Sequence, residues 1–250
     1  MKHFAVVQHS YSEFLGLIES QLEKRDIGFS YFRAFLNQDL PGSALTFDAL
    51  FLLGGPMSPL DSDAHPWLLQ ERNVIGAFRK AGRPVVGLGL GALLLAQYEG
   101  AELSREPYHN AYFTTAHATE AGKGDPLAQA VDGAQVLVWS PGVARLPDGI
   151  PPLVVDDAGN WIAFRPEPGA VGLLFHPEMK PGMIEDIIME EDREVPENVG
   201  ELMETARRLW PQMQETTDRV VVALVRELSL MQERRKPRVF SLQVDSEGGQ

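Results

Sequence analysis

Two stretches hold the residues best able to do chemistry. Val171-Gly172-Leu173-Leu174-Phe175 is an unbroken apolar run, the pattern of a strand buried on both faces, and it leads straight into His176-Pro177-Glu178. A histidine and a glutamate two apart at such a position can pair, the carboxylate orienting the imidazole and the imidazole moving a proton. The same turn also serves as a plain structural connection. The second stretch is Val85-Val86-Gly87-Leu88-Gly89-Leu90-Gly91, where a short apolar strand turns directly into a helix over Leu90–Tyr98. A corner of that kind lifts residue 89 above the sheet and opens a helix N-terminus that favours negative charge, a setting for a nucleophile. The residue there is Gly89, which has no side chain.

Three readings of the corner are open on its residues alone. It is a G-x-nucleophile-x-G elbow whose nucleophile is gone, with Gly87 and Gly91 flanking. Or Gly87, Gly89 and Ala92 form a G-x-G-x-x-A dinucleotide fingerprint, which needs an acid about 20 positions on to hold a ribose. The stretch there, Tyr108-His109-Asn110-Ala111-Tyr112, has none. Or the glycines merely let helix and strand pack closely. The hydroxyls of Ser58 and Ser140 each follow a strand, but neither has an elbow around it. None of the six histidines pairs with another at a local metal-ligand spacing, so no metal and no cofactor is expected.

Composition narrows the class. The 250 residues are 44% hydrophobic and 23% charged, enough for one sizeable core. With 35 acidic against 22 basic residues and a net charge of −13, nucleic acid and anionic membrane surfaces are excluded as natural partners. There is no cysteine, hence no disulfide, no thiolate metal site and no thiol nucleophile. With no charged-then-apolar leader and no apolar run near the roughly 20 residues of a membrane span, a cytoplasmic protein is expected.

The elements that must position these stretches alternate. Strands are predicted over His3–Gln8, Phe29–Phe32 and Asp48–Leu53, the last ending at Gly54-Gly55-Pro56-Met57, and helices over Phe14–Lys24 and Trp67–Arg79. That order predicts a mostly parallel α/β sheet with helices on both faces. Two glycine turns, Gly54-Gly55 and Gly87 to Gly91, then fall at the C-terminal ends of neighbouring strands, where open sheets bind ligands. Short strands over Tyr112–Ala116, Gln135–Trp139, Leu153–Asp156 and Ile162–Arg165, separated by prolines, predict added antiparallel or mixed sheet. Helices resume over Met183–Met189, Val199–Trp210 and Thr217–Gln232, the last followed by Arg234-Arg235-Lys236 and Pro237. Val239–Val244 is a candidate lone strand able to pair with another chain.

Gly54-Gly55-Pro56-Met57-Ser58, Gly87-Leu88-Gly89-Leu90-Gly91 and Phe175-His176-Pro177-Glu178, in this order, resemble the three signatures of class I glutamine amidotransferases, especially free-standing members like the glutaminase domain of GMP synthase. The resemblance covers about residues 3 to 190 and implies a flavodoxin-like fold. It divides the chain into an amidotransferase-like domain, 1–190, and a C-terminal helical extension and tail, 191–250. In that family a cysteine at the corner attacks the amide of glutamine, a histidine takes its proton and a glutamate orients the histidine. The resemblance maps His176 and Glu178 onto the base and its orienter, and Gly55 and Leu90 onto the backbone donors of the oxyanion hole. Gly89 stands where the nucleophile belongs.

Other positions depart as well. Ala92 and Leu93 replace a pair whose glutamine helps grip the substrate, and Trp139-Ser140-Pro141-Gly142 stands in place of a Trp-His-Gly-Asp stretch lining the glutamine pocket. The resemblance therefore implies a pseudoenzyme that acts by binding a protein partner, or a small ligand in the remnant cleft. The alternative is an enzyme that uses His176 and Glu178 as an acid/base pair on another substrate. A homo-oligomer built through the C-terminal extension is a further expectation.

Overall fold

A computed structural model describes residues 2–104, 110–190 and 195–230. The predicted strand at Val239–Val244, the basic run Arg234-Arg235-Lys236, the last residues of the predicted final helix and Tyr108-His109 lie outside the described residues.

The first half alternates as its periodicity requires: β1 Lys2–Gln8, α1 Gly16–Glu23, β2 Ile27–Arg33, β3 Ala49–Leu52, α2 Trp67–Lys80, β4 Val85–Leu88 and α3 Leu90–Tyr98. The second half is mostly short strands: β5 Glu102–Ser104, β6 Asn110–Thr115, β7 His117–Ala118, α4 Pro126–Val131, β8 Gln135–Ser140, β9 Val143–Arg145, β10 Pro152–Val155, β11 Trp161–Phe164 and β12 Ala170–Leu173. Helices α5 Pro181–Ile188 and α6 Val199–Glu227 follow.

Eight strands form one sheet in the order β2-β1-β3-β4-β12-β11-β10-β7. The first five run parallel, the flavodoxin-like order, and β11, β10 and β7 continue antiparallel on one side. Strands β1, β3, β4 and β12 are apolar runs buried on both faces, so they sit in the middle of the sheet. Two ribbons stand apart from it, β5 with β9 and β6 with β8. Alternation divides β8: Val136 and Val138 join the main core, whereas Leu137 and Trp139 join a second cluster with α5 and α6.

Strands β5, β7 and β9 were not expected, and two helical features also differ from the sequence reading. The separate helices expected over Val199–Trp210 and from Thr217 are one 29-residue helix that runs through Pro211. Pro211 is exposed, so the carbonyl its ring deprives of a partner faces water, while Leu209, Met213, Thr216, Thr217 and Val220 keep one buried stripe across it. The same helix sends Val221, Leu224 and Val225 into the main core and Leu202, Ala206 and Leu209 into the second cluster. The other difference is α4, which was not anticipated. Pro126 opens it, and the Asp125 carboxylate caps it by accepting from the Leu127 and Ala128 amides.

Candidate functional site

The parallel strands deliver three loops to one edge of the sheet. β3 ends beside Gly54-Gly55, β4 ends at Gly89, and β12 leads into His176 two residues beyond Leu174. Close packing at the corner explains its flanking glycines. A methyl carbon on Gly91 would meet the Leu52 backbone, with the Leu52 carbonyl carbon only 2.6 Å away, and one on Gly87 would press on the first turn of α3. Gly89 has φ +51° and ψ −112°, a region that side-chain-bearing residues enter only under strain. Its amide donates to the Leu173 carbonyl at 2.8 Å, which ties the corner to the strand carrying the histidine.

His176 is drawn into the corner. A carbon placed where a side chain on residue 89 would begin lies 2.8 Å from both Cε1 and Nε2 of His176, and 3.1 Å from the Trp139 carbonyl oxygen. The imidazole therefore occupies the space of the missing side chain. Its Nδ1 donates to Glu178 Oε1 at 2.6 Å, as the predicted orienting pair requires, and its Nε2 donates to the Trp139 carbonyl at 2.6 Å. The Trp139 carbonyl can only accept, so Nε2 carries a proton, and the Glu178 carboxylate favours a second one on Nδ1. Burial alone would push its pKa down. The field and hydrogen bond of Glu178, with Glu13 and the Trp139 carbonyl, outweigh burial and raise it above the ordinary value. His176 is only 3% exposed, and Gly89, Gly55 and Leu90 are buried with it.

A second pair lies on the other side of Gly54. His9, one residue past β1, directs Nδ1 at the carbonyls of Leu53 and Gly54, both at 3.0 Å. Its Nε2 faces the Glu71 carboxylate of α2 at 3.0 and 3.1 Å. His9 stacks on Trp67, with ring centroids 5.5 Å apart. Burial lowers its pKa, but the charge and hydrogen bond of Glu71, then the Gly54 carbonyl and Glu13, raise it overall. Glu13 sits between the two pairs: its Oε1 and His176 Cε1 both crowd the position where Gly54 would carry a side chain. Five buried ionisable groups, His9, Glu13, Glu71, His176 and Glu178, thus surround the Gly54-Gly55 turn.

The other predicted residues fall at this edge too. Gly55 and Leu90, the expected backbone donors, are both buried here. The Leu90 side chain lies against Gly55. Ser140 is buried and spends its hydroxyl hydrogen on the Gly142 carbonyl at 2.8 Å, and the Ser58 hydroxyl accepts from the Leu60 amide. Neither hydroxyl is bonded to an imidazole. Ala92 and Leu93 are fully enclosed in the main core. Sequence reasoning missed His9, Glu13 and Glu71. His9 and Glu71 are 62 residues apart, and only the parallel order of β1 and β3 under α2 brings them together.

Comparison with known proteins gives the family. The model of the family glutamine amidotransferase class-I matches residues 6–192, and the chain belongs to that family. It is 31% identical over 128 residues to the glutamine amidotransferase-like protein YfeJ of Salmonella typhimurium, a match covering 50% of this chain and 53% of that protein, so it spans about half the length of this curated relative. Among solved structures, a glutamine amidotransferase of Thermotoga maritima superposes with a TM-score of 0.76 at 21% identity, covering 91% of this chain and 98% of the other. A glutamine amido transferase of Methylobacillus flagellatus gives the same TM-score and identity over 91% and 96%. At that identity these two structures support the fold. Among the described residues no helix is long and apolar enough to cross a membrane.

Proposed function

We propose that this member of the family has lost glutamine hydrolysis and works by binding, either a protein partner or a small ligand. The observation that carries the reading is the imidazole of His176 standing where a nucleophile's side chain would be, beside a glycine. Without a nucleophile no covalent γ-glutamyl intermediate forms, and such a loss commonly costs on the order of a millionfold in turnover. With Nε2 donating to the Trp139 carbonyl, the ring nitrogen nearest residue 89 has no lone pair to take a proton. Ala92 and Leu93, turned into the core, give no polar grip to a substrate amide. The rival reading, an acid/base pair acting on another substrate, loses support from the burial of His176 and the engagement of both its nitrogens.

Glutamate release from glutamine by the pure protein is the test. We expect none above background, and turnover comparable to active family members would end this reading. The single change Gly89→Cys should also stay inactive, because the thiol would meet the His176 ring and still lack a substrate pocket. If the protein binds a partner, His176→Ala should leave that affinity intact, whereas an enzyme built on His176 would lose its activity.

A further inference from the structure

A large cavity lies on the far side of β8 from the second core cluster. Its volume is about 900 Å³, within the range of small-molecule sites, and it is walled by both ribbons and by the antiparallel part of the main sheet. None of His176, Gly89, Gly55 or Leu90 lines it. Leu103, Val138, Val143, Leu146, Trp161 and Leu174 are among the apolar residues that line it.

The polar groups in the wall define what it can hold. Asp156 is buried, and its carboxylate is already saturated: Oδ2 accepts from the Tyr112 hydroxyl and Asn160 Nδ2, and Oδ1 from the Ala158 and Asn160 amides. Trp161 Nε1 donates to the Ala144 carbonyl at 2.5 Å. Glu102 and Arg145 stand at the solvent rim, 3.8 Å from each other, 80% and 74% exposed. Among the described residues no unpaired interior charge compensates a charged guest, which would lose its hydration. The hydroxyls of Ser140 and Tyr112 have each given their hydrogen to a protein oxygen and can only accept from a guest, whereas Asn160, on an exposed turn, spends one N–H on Asp156 and keeps the other.

We propose that this cavity binds a neutral, largely apolar small molecule, aromatic or aliphatic in body, that carries a hydrogen-bond donor. The cavity shares Ser140 with the remnant cleft but none of its other residues, and the reading does not depend on whether the chain hydrolyses glutamine. The two remain mechanically linked, since Val138 and Ser140 in the wall flank Trp139, whose carbonyl holds His176.

N-phenyl-1-naphthylamine, neutral and aromatic with one N–H, is a suitable probe, titrated into the full chain with dye emission and tryptophan quenching as readouts. One saturable site per chain is expected. Its N-methyl analogue, lacking the donor, should bind about three- to tenfold more weakly. Anionic anilinonaphthalene sulfonate should bind at least tenfold more weakly. Val143→Trp, which fills the cavity, should weaken the probe at least tenfold, and Ala158→Trp, placed on an exposed turn, does the same if the first variant folds poorly. The proposal is overturned by absence of saturable binding to the wild type, by equal affinity for the sulfonate or the N-methyl analogue, or by unchanged affinity in a folded cavity-filled variant. A glutaminase assay bears on the remnant centre alone, so failure of either reading leaves the other standing.

Discussion

The residues that matter most are held in place by charge as much as by packing. Gly89 is tolerated at φ +51° because it has no Cβ, and the neighbouring ring has taken the room a Cβ would need. Gly89→Ala should therefore cost about 1–3 kcal/mol in urea unfolding, from backbone strain and displacement of His176 together. The two histidine–carboxylate pairs make stability depend on pH. Both histidines have folded pKa values above their unfolded value near 6.5. The stability they contribute is fully present below that value and is lost as pH rises through the folded value. Denaturation midpoints measured from pH 6 to pH 9 should fall with rising pH, and the slope should flatten in His9→Asn. Glu178→Gln removes the opposing charge, so the His176 ring-proton resonance should titrate at lower pH than in the wild type.

At the scale of elements, what the sequence makes legible is local, and what it hides depends on distant strands. The apolar runs that become β1, β3, β4 and β12, and the turns after them, could be read residue by residue, and with them Gly55, Gly89, His176 and Glu178. His9 and Glu71 could not, because a lone histidine after one strand and a glutamate on a helix carry no shared spacing. Helix α4 had a readable signal, Asp125 before Pro126, but its six residues show too little periodicity to stand out among the prolines. Helix α6 was divided in the reading at Pro211, where local propensity opposes a helix that tertiary packing keeps whole. Because Pro211 is exposed and removes one internal hydrogen bond, Pro211→Ala should raise stability by about 1–3 kcal/mol, visible as a higher melting temperature. The helix also braces the histidine turn, through a Thr217 hydroxyl that bonds the carbonyls of Pro177 and Met213. Thr217→Val should cost about 1 kcal/mol in the same measurement.

For the molecule as a whole, the parallel half and the C-terminal helix share one core. A chain ending at residue 190 would expose the faces that Val221, Leu224 and Val225 cover, and should fail to give a cooperative unfolding transition by circular dichroism. The glycines at 87 and 91 belong to the same accounting. Helix α3 meets β4 at Gly87 and β3 at Gly91 with no space for a methyl group, whatever residue 89 does. Selection for folding alone is enough to keep them. Any census of amidotransferases that scores the elbow by its flanking glycines thus scores a packing requirement, and the chemistry has to be read from the residue between them.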